Sequence, residues 1–137
     1  MKLNKIVLST EASDCLKQLK GRTGLTPNIL SRFGYCLSLE EPAIPDPSLY
    51  PEEDREFNRY TLLGEWDELY VALLRQRMCK DGIPEDHIDG QFRAHLHRGV
   101  IALSRLVKSL ADVARLSARA EAGNSTLPRS NRNSSTE

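Results

Sequence analysis

The sequence predicts a mainly α-helical fold, in which a short N-terminal strand is followed by about four helices. Apolar residues recur at helical spacing in four segments of the chain, and a corner near residue 24 combines a helix stop with a helix start. With 137 residues, of which 39% are hydrophobic, the chain can bury the core of a single domain.

The chain opens with a predicted strand and a predicted helix. Residues 4–9 form a short run of β-branched and apolar side chains with partial alternation, which is typical of a brief strand. Ser9 or Thr10 can cap the helix that follows, and an apolar stripe at helical spacing continues to about residue 22. The strand therefore leads directly into the first helix.

A well-specified corner separates this helix from the second one. Gly24 suits the left-handed position that closes a helix, and Thr26 suits the N-cap of the next. Pro27 falls at the first helical position, where a missing N–H removes no intrahelical bond. We expect the second helix to run from Pro27 to about residue 39.

The corner is also a candidate phosphate site, because a helix N-terminus offers free N–H groups and a partial positive charge. No acidic residue occurs between Cys15 and Leu39. The candidate DNA-binding residues are Lys5 on the strand, Lys17, Lys20, Arg22 and Arg32 around the corner, and Thr26 and Asn28 at the helix start. The alternative is an ordinary helix–turn–helix corner with solvated basic residues.

A connector and a third helix come next. Residues 40–54 are acidic and rich in proline, which excludes a regular helix, and residues 55–63 are irregular or briefly extended. Acids at the start and basic residues at the end favour a helix over residues 64–78. Its predicted apolar face consists of Trp66, Leu69, Tyr70, Leu73, Leu74 and Met78.

The last predicted helix begins near residue 88 or 92 and ends near residue 116, with Gly99 as a bend or a close helix approach. A helix of about 25 residues is long for so small a domain, so we expect part of its apolar face to pack against another subunit. Residues 1–121 are then one helical DNA-binding domain of a helical oligomer. Residues 122–137, rich in Gly, Ser and Asn, are predicted to form a disordered tail.

Charge is segregated along the chain, although the formal net charge is zero. Residues 1–39 carry six lysines and arginines against two acids, residues 40–90 five against fourteen, and residues 91–119 six against one. We therefore expect a basic face and an acidic face rather than a general attraction to nucleic acid. Three scattered cysteines, and the lack of a signal-peptide or membrane-spanning pattern, predict a soluble cytoplasmic protein with reduced thiols.

The sequence shows no catalytic constellation, so we expect neither enzymatic activity nor a cofactor. His95 and His97 are two residues apart, so on a helix they point in different directions and cannot form the i, i+4 pair of a helical zinc site. The cysteines lack a nucleophile pattern with histidine, and the glycines lack a nucleotide-binding pattern.

The order strand, helix, corner, helix is that of a ribbon-helix-helix DNA-binding protein, in which two strands pair across a dimer. On that interpretation Lys5, Val7 and Ser9 share the strand face that reads bases, and the protein is a sequence-specific repressor. A further alternative is a scaffold that docks a partner enzyme through the acidic connector.

Three segments, taken in order, resemble the DndE family of the bacterial DNA phosphorothioation system. They read RTGLTPNIL at residues 22–30 with Arg32, GEWDELY at residues 64–70 continuing through Arg75, and FRAHLHRG at residues 92–99. The resemblance extends over about residues 5–115 and leaves the tail unmatched.

This resemblance implies a compact, mostly helical homotetramer that binds DNA and prefers nicked duplex. It implies partners in the same system: a cysteine desulfurase, a sulfur-transferring enzyme of the adenylating type, and an ATPase related to chromosome-maintenance proteins. The modification replaces a non-bridging phosphate oxygen with sulfur. The chain would then be a non-catalytic DNA-binding subunit, and the family gives no catalytic residue to carry over.

Overall fold

The computed structural model describes residues 1–125, and their side chains through residue 118. The described part is mainly helical, as predicted. In order it comprises β1 (Lys5–Val7), α1 (Thr10–Thr23), α2 (Pro27–Glu40), β2 (Glu56–Asn58), α3 (Arg59–Leu63), α4 (Asp67–Asp81), α5 (Ile88–Leu106) and α6 (Leu110–Ser125). Short 3-10 turns at Pro47–Leu49, Gly64–Trp66 and Glu85–His87 link some of these elements.

The local start and stop signals act as predicted. The Ser9 hydroxyl caps α1 by accepting the backbone N–H of Ala12 at 3.2 Å. Gly24, with φ of 76°, adopts the left-handed conformation that closes α1, and glycine reaches it without steric strain. Thr26 caps α2 and Pro27 occupies its first position. The corner is therefore confirmed.

The strand β1 is paired along one edge, and side chains of α5 block part of its other edge. On one side it pairs antiparallel with β2, so that Ile6 lies opposite Phe57. On the other side, Arg93 Nη2 donates to the Val7 carbonyl at 3.1 Å, and the Ser9 N–H donates to His97 Nε2 at 3.0 Å. In a ribbon-helix-helix repressor, the strand of a second chain would have to displace β2 or these contacts of α5.

The core forms mainly where α2 packs along α5, the most extensive contact between two helices. Gly34 and Gly99 meet at this crossing, which confirms the close helix approach predicted for Gly99. Side chains from α1, β1, α3 and α4 complete the core. Its fully buried members include Ile6, Leu16, Leu30, Tyr35, Leu62, Leu74, Phe92, Leu96 and Val100.

The apolar face predicted for the third helix is partly wrong. Trp66 and Leu69 are 55% and 52% exposed, whereas the buried apolar residues of α4 are Val71, Leu74 and Met78. Two arginines connect this helix to its neighbours: Arg59 pairs with Asp67 at its start, and Arg77 near its end donates to the carbonyls of Leu39, in α2, and Pro42, just beyond it. Helical spacing alone cannot choose between two apolar stripes, because it contains no information about such partners outside the helix.

The prediction of one long last helix is wrong, because the chain breaks between α5 and α6. Val107 adopts an extended conformation, with φ of −109° and ψ of 114°. Asp112 then accepts the backbone N–H groups of Lys108 and Ser109, at 2.7 and 3.2 Å. Ser109 and Asp112 have the three-residue spacing of a capping box, which indicates the start of a new helix. The apolar periodicity continues across this start and therefore predicts a single helix.

The remaining predictions concern the connector and the tail. Of residues 40–54, Glu40 ends α2 and residues 41–54 contain no α-helix; residues 55–63, expected to be irregular or extended, hold β2 and the short helix α3. Of the predicted tail, residues 122–125 belong to α6, and residues 126–137 lie outside the described part. Cys15, Cys36 and Cys79 are free thiols. Within the described part, no helix combines the length and the apolarity that a membrane crossing requires.

Candidate nucleic-acid interface

Two lysines of α1 form the simplest basic feature near the corner. Lys17 and Lys20 are both exposed, and their three-residue spacing places them on the same side of the helix. Neither forms an ion pair with a carboxylate of the described residues. Two uncompensated ammonium groups one turn apart suit the contact of adjacent phosphates.

Arg22 lies on a different side of α1, because it follows Lys20 by only two residues. Its Nη1 donates to the carbonyls of Ser104 at 3.1 Å and Val107 at 3.5 Å, at the end of α5. The guanidinium thus binds C-terminal carbonyls that have no intrahelical partner. The structure separates Arg22 from the two lysines with which the sequence grouped it.

Arg32 also points to a helix end within the chain. Its Nε donates to the Leu62 carbonyl at 2.5 Å, and its Nη2 to the Thr61 carbonyl at 3.4 Å. Gly64, which ends α3 with φ of 62°, lies beside this guanidinium. Arg32 therefore caps α3 and is only half-exposed, which leaves fewer of its donors for an external phosphate.

The start of α2 offers less to a ligand than the sequence suggests. The Thr26 hydroxyl accepts the N–H of Ile29 at 3.4 Å, and Pro27 has no N–H. The backbone N–H of Asn28 remains, and the Asn28 side chain is half-buried. Lys5 lies apart on β1, where its ammonium is 3.9 Å from Glu56.

Other arginines hold backbone carbonyls together. Arg77 donates to the carbonyls of Leu39, in the last turn of α2, and of Pro42 and Ala43, which follow that helix. Arg98 donates to the carbonyls of Ser38 and Ala43. Much of the positive charge of the chain thus orders its own loops and helix ends. This use was not predictable, because the partners lie 34 to 60 residues away in sequence.

The two central histidines are fully buried parts of the scaffold. His97 accepts the N–H of Ser9 through Nε2 and bonds to the Arg93 carbonyl through Nδ1 at 2.7 Å, which fixes its neutral tautomer. His95 Nδ1 lies 2.9 Å from the hydroxyl of Ser38. Burial lowers the pKa of each to about 4, helped at His95 by the charges of Arg98 and Arg77. As predicted, the two rings point to different elements.

Sequence reasoning missed two exposed basic residues at the break after α5. Arg105 lies in the last turn of that helix, and Lys108 lies in the break itself. The Lys108 ammonium is 3.0 Å from the Ser104 carbonyl, the same oxygen that Arg22 binds. The positive charge of residues 91–119 was the available signal. Among the described residues, no group of three or more His, Cys, Asp or Glu side chains is placed to hold a metal ion.

Comparisons with known proteins give a consistent result. The family model for DndE, the DNA sulphur modification protein, matches residues 5–110. A crystal structure of DndE from Escherichia coli B7A, involved in DNA phosphorothioation modification, is similar at 29% identity and a TM-score of 0.61, covering 75% of this chain and 98% of that one. Curated protein sequences gave no match.

A second solved structure supports the fold alone. It is a DndE mutant, involved in DNA phosphorothioation, in which two glycines are replaced by lysine. It is 24% identical, with a TM-score of 0.57, and the similarity covers 75% of this chain and 98% of that one.

Proposed function

Because the chain belongs to the DndE family of DNA sulphur modification proteins, we propose that it is a non-catalytic DNA-binding subunit of the phosphorothioation machinery. It holds duplex or nicked DNA through contacts to backbone phosphates, independently of base sequence. It works as a homo-oligomer, a tetramer, beside the sulfur-transferring enzyme and the ATPase of the same system.

The observation that carries this proposal is the pair Lys17 and Lys20. Their ammonium groups are exposed, share one side of α1 and form no ion pair within the described residues. Lys20 lies in the last turn of α1, which the corner joins to the start of α2 and its positive dipole end. Arg22 lies on another side of α1, where it binds the end of α5, and Arg32 serves mainly to cap α3.

The non-catalytic role is supported by the burial and the hydrogen bonds of the two central histidines. His95 and His97 are buried, and both bond to other parts of the chain. A histidine with a pKa near 4 is a weak base at neutral pH, and a buried ring cannot reach a polymeric substrate. These two residues therefore serve the scaffold in this proposal.

Oligomerisation is supported by apolar surface that the single chain leaves uncovered. Ile29 and Phe33 on α2, and Trp66 and Leu69 at the start of α4, are large apolar residues that are 37 to 55% exposed. Large apolar and aromatic side chains left exposed on a single chain are candidates for contact with another subunit. The ribbon-helix-helix repressor is disfavoured, because β2 pairs with one edge of β1 and α5 blocks part of the other.

The proposal is tested by fluorescence-anisotropy titration of intact and nicked duplexes of unrelated sequence. The double variant Lys17→Ala/Lys20→Ala is compared with Lys2→Ala/Lys80→Ala, which removes the same charge from two other exposed lysines. We expect the first variant to bind both duplexes several-fold more weakly than the wild type and the control. Equal binding by all three proteins, or no binding by the wild type, contradicts the proposal.

A further inference from the structure

At two places in the structure, two cationic side chains converge on a single backbone carbonyl. Arg77 and Arg98 both donate to the carbonyl of Ala43. Arg22 and Lys108 both donate to the carbonyl of Ser104, at 3.1 and 3.0 Å. Each arrangement places two positive charges within a few ångströms of each other, so their repulsion has to be offset.

At Ala43 the chain supplies the compensating charge itself. Asp81 lies 2.8 Å from Arg77 Nε, and both side chains of this ion pair are more than nine-tenths buried. Around the end of α2, the two arginines make six donor contacts. The acceptors are the Ser38 hydroxyl and the carbonyls of Ser38, Leu39, Pro42 and Ala43, of which Ala43 accepts twice. This site is internally satisfied, and it serves to hold the connector.

At Ser104 no such compensation occurs within the described residues. Neither Arg22 nor Lys108 forms an ion pair with a described carboxylate, and both residues are exposed. The acid of this stretch, Asp112, is engaged elsewhere: it accepts the backbone N–H groups of Lys108 and Ser109 and pairs with Arg115. The partial negative charge at the end of α5 offsets only part of the two full charges.

Both cations retain donors for an external group. Arg22 has five N–H donors, and the contacts within the chain use one nitrogen for two carbonyls and another for a 3.5 Å contact to Gln18. Lys108 has three ammonium protons and makes one contact, to the Ser104 carbonyl. A tetrahedral anion with several acceptor oxygens fits this combination of a guanidinium and an ammonium group.

We propose that the break between α5 and α6 is a second phosphate-binding site, in which Arg22 and Lys108 hold a backbone phosphodiester of DNA between them. The break builds the site: the extended Val107 ends α5, frees the Ser104 carbonyl for the two cations, and places Lys108 opposite Arg22. This inference rests on the proposed DNA-binding function. It adds a residue, Lys108, and a location distinct from the Lys17/Lys20 side of α1.

The experiment measures duplex affinity across a salt series for the wild type, Lys108→Gln, Lys17→Ala/Lys20→Ala and the control Lys80→Ala. Gln at position 108 keeps the backbone N–H that Asp112 accepts, so α6 keeps its cap. We expect the slope of log affinity against log salt to become shallower by about 1 in Lys108→Gln, which corresponds to the loss of one phosphate contact, and to stay unchanged in Lys80→Ala.

The possible results separate the two proposals. Suppose that the wild-type affinity depends steeply on salt, and that Lys17→Ala/Lys20→Ala reduces this slope whereas Lys108→Gln does not. That result overturns the second site and leaves the proposed function standing. A wild type that does not bind DNA overturns both.

Arg22 also caps α5, so its test variant is Arg22→Lys, which keeps the positive charge. A retained salt slope with reduced DNA affinity supports the guanidinium contact to phosphate. Unchanged DNA affinity contradicts it.

Discussion

Gly34 of α2 and Gly99 of α5 touch backbone to backbone where the two helices cross. A Cβ atom on Gly34 would lie 2.7 Å from the backbone nitrogen of Val100, and one on Gly99 would overlap the carbonyl group of Gly34. Because both obstructing groups are backbone, no side-chain rotation relieves the clash. The extensive packing of α2 on α5 depends on the absence of both methyl groups.

We therefore expect Gly99→Ala to lower the free energy of unfolding by about 3 kcal/mol or more, since the helices must move apart. The matched control is Gly21→Ala in α1, where an added Cβ meets no atom within 4 Å. That variant should be neutral or stabilised by about 0.5–1 kcal/mol through helix propensity. Urea denaturation of the two variants checks the prediction, and similar stabilities would contradict the crossing geometry.

The ion pair between Arg59 and Asp67 should be important for stability. Asp67 Oδ1 and Oδ2 accept from Arg59 Nε and Nη2 at 2.8 and 2.6 Å, and the side chains are only 9% and 13% exposed. Removing the carboxylate in Asp67→Ala leaves a buried guanidinium without its counter-charge, so we expect a loss of about 3 kcal/mol.

The matched control for Asp67 is Glu85→Ala, because Arg75 and Glu85 form an ion pair whose side chains are about half exposed. Its loss should change the free energy of unfolding by no more than about 1 kcal/mol. Thermal unfolding at neutral pH compares the two variants. Equal destabilisation would show that burial does not govern the strength of these pairs.

Stability should fall in mild acid because of the two buried histidines. Their pKa values of about 4 lie below the unfolded value of about 6.5, so the unfolded state binds more protons between these pH values. The free energy of unfolding should thus decrease as pH falls from about 6.5 to about 4, by up to about 3 kcal/mol per histidine. Above pH 7 neither residue contributes a pH dependence.

The variant His97→Gln isolates one of these contributions, since an amide can still accept from Ser9 and donate to the Arg93 carbonyl. Urea midpoints measured from pH 7 to pH 5 should vary less in this variant than in the wild type. If both proteins show the same pH dependence, His97 is not the neutral buried group that the structure describes.

Arg32→Ala should lower stability without changing how DNA affinity depends on salt. The guanidinium caps α3 through the Leu62 and Thr61 carbonyls, and its loss leaves these acceptors without a partner, at about 1–3 kcal/mol. Circular dichroism melts and salt-dependent anisotropy on the same sample separate the two effects. A shallower salt slope with unchanged stability would instead place Arg32 on a phosphate.

The features that sequence reasoning predicted correctly are local. Ser9, Gly24, Thr26 and Pro27 act through neighbours within four residues, so their capping roles follow from residue type and spacing. The signal for the break before Leu110 is equally local, through Ser109 and Asp112, but the apolar periodicity continues across it and predicts one helix.

The role of Arg22 could not be read from the sequence. Its carbonyl partner Ser104 is 82 residues away, and that contact exists only once α1 packs on α5. The same holds for Arg77, whose carbonyl partners Leu39, Pro42 and Ala43 lie 34 to 38 residues away. A basic residue near a helix corner is compatible with both a phosphate contact and a helix cap, and tertiary packing decides between them.

The proposal that α1 holds DNA phosphates is tested most directly by the salt dependence of duplex affinity in Lys17→Ala/Lys20→Ala. The loss of two phosphate contacts should make the slope of log affinity against log salt shallower by about 2 relative to the wild type, with no change for Lys2→Ala/Lys80→Ala. An unchanged slope in the first variant would contradict phosphate binding at Lys17 and Lys20.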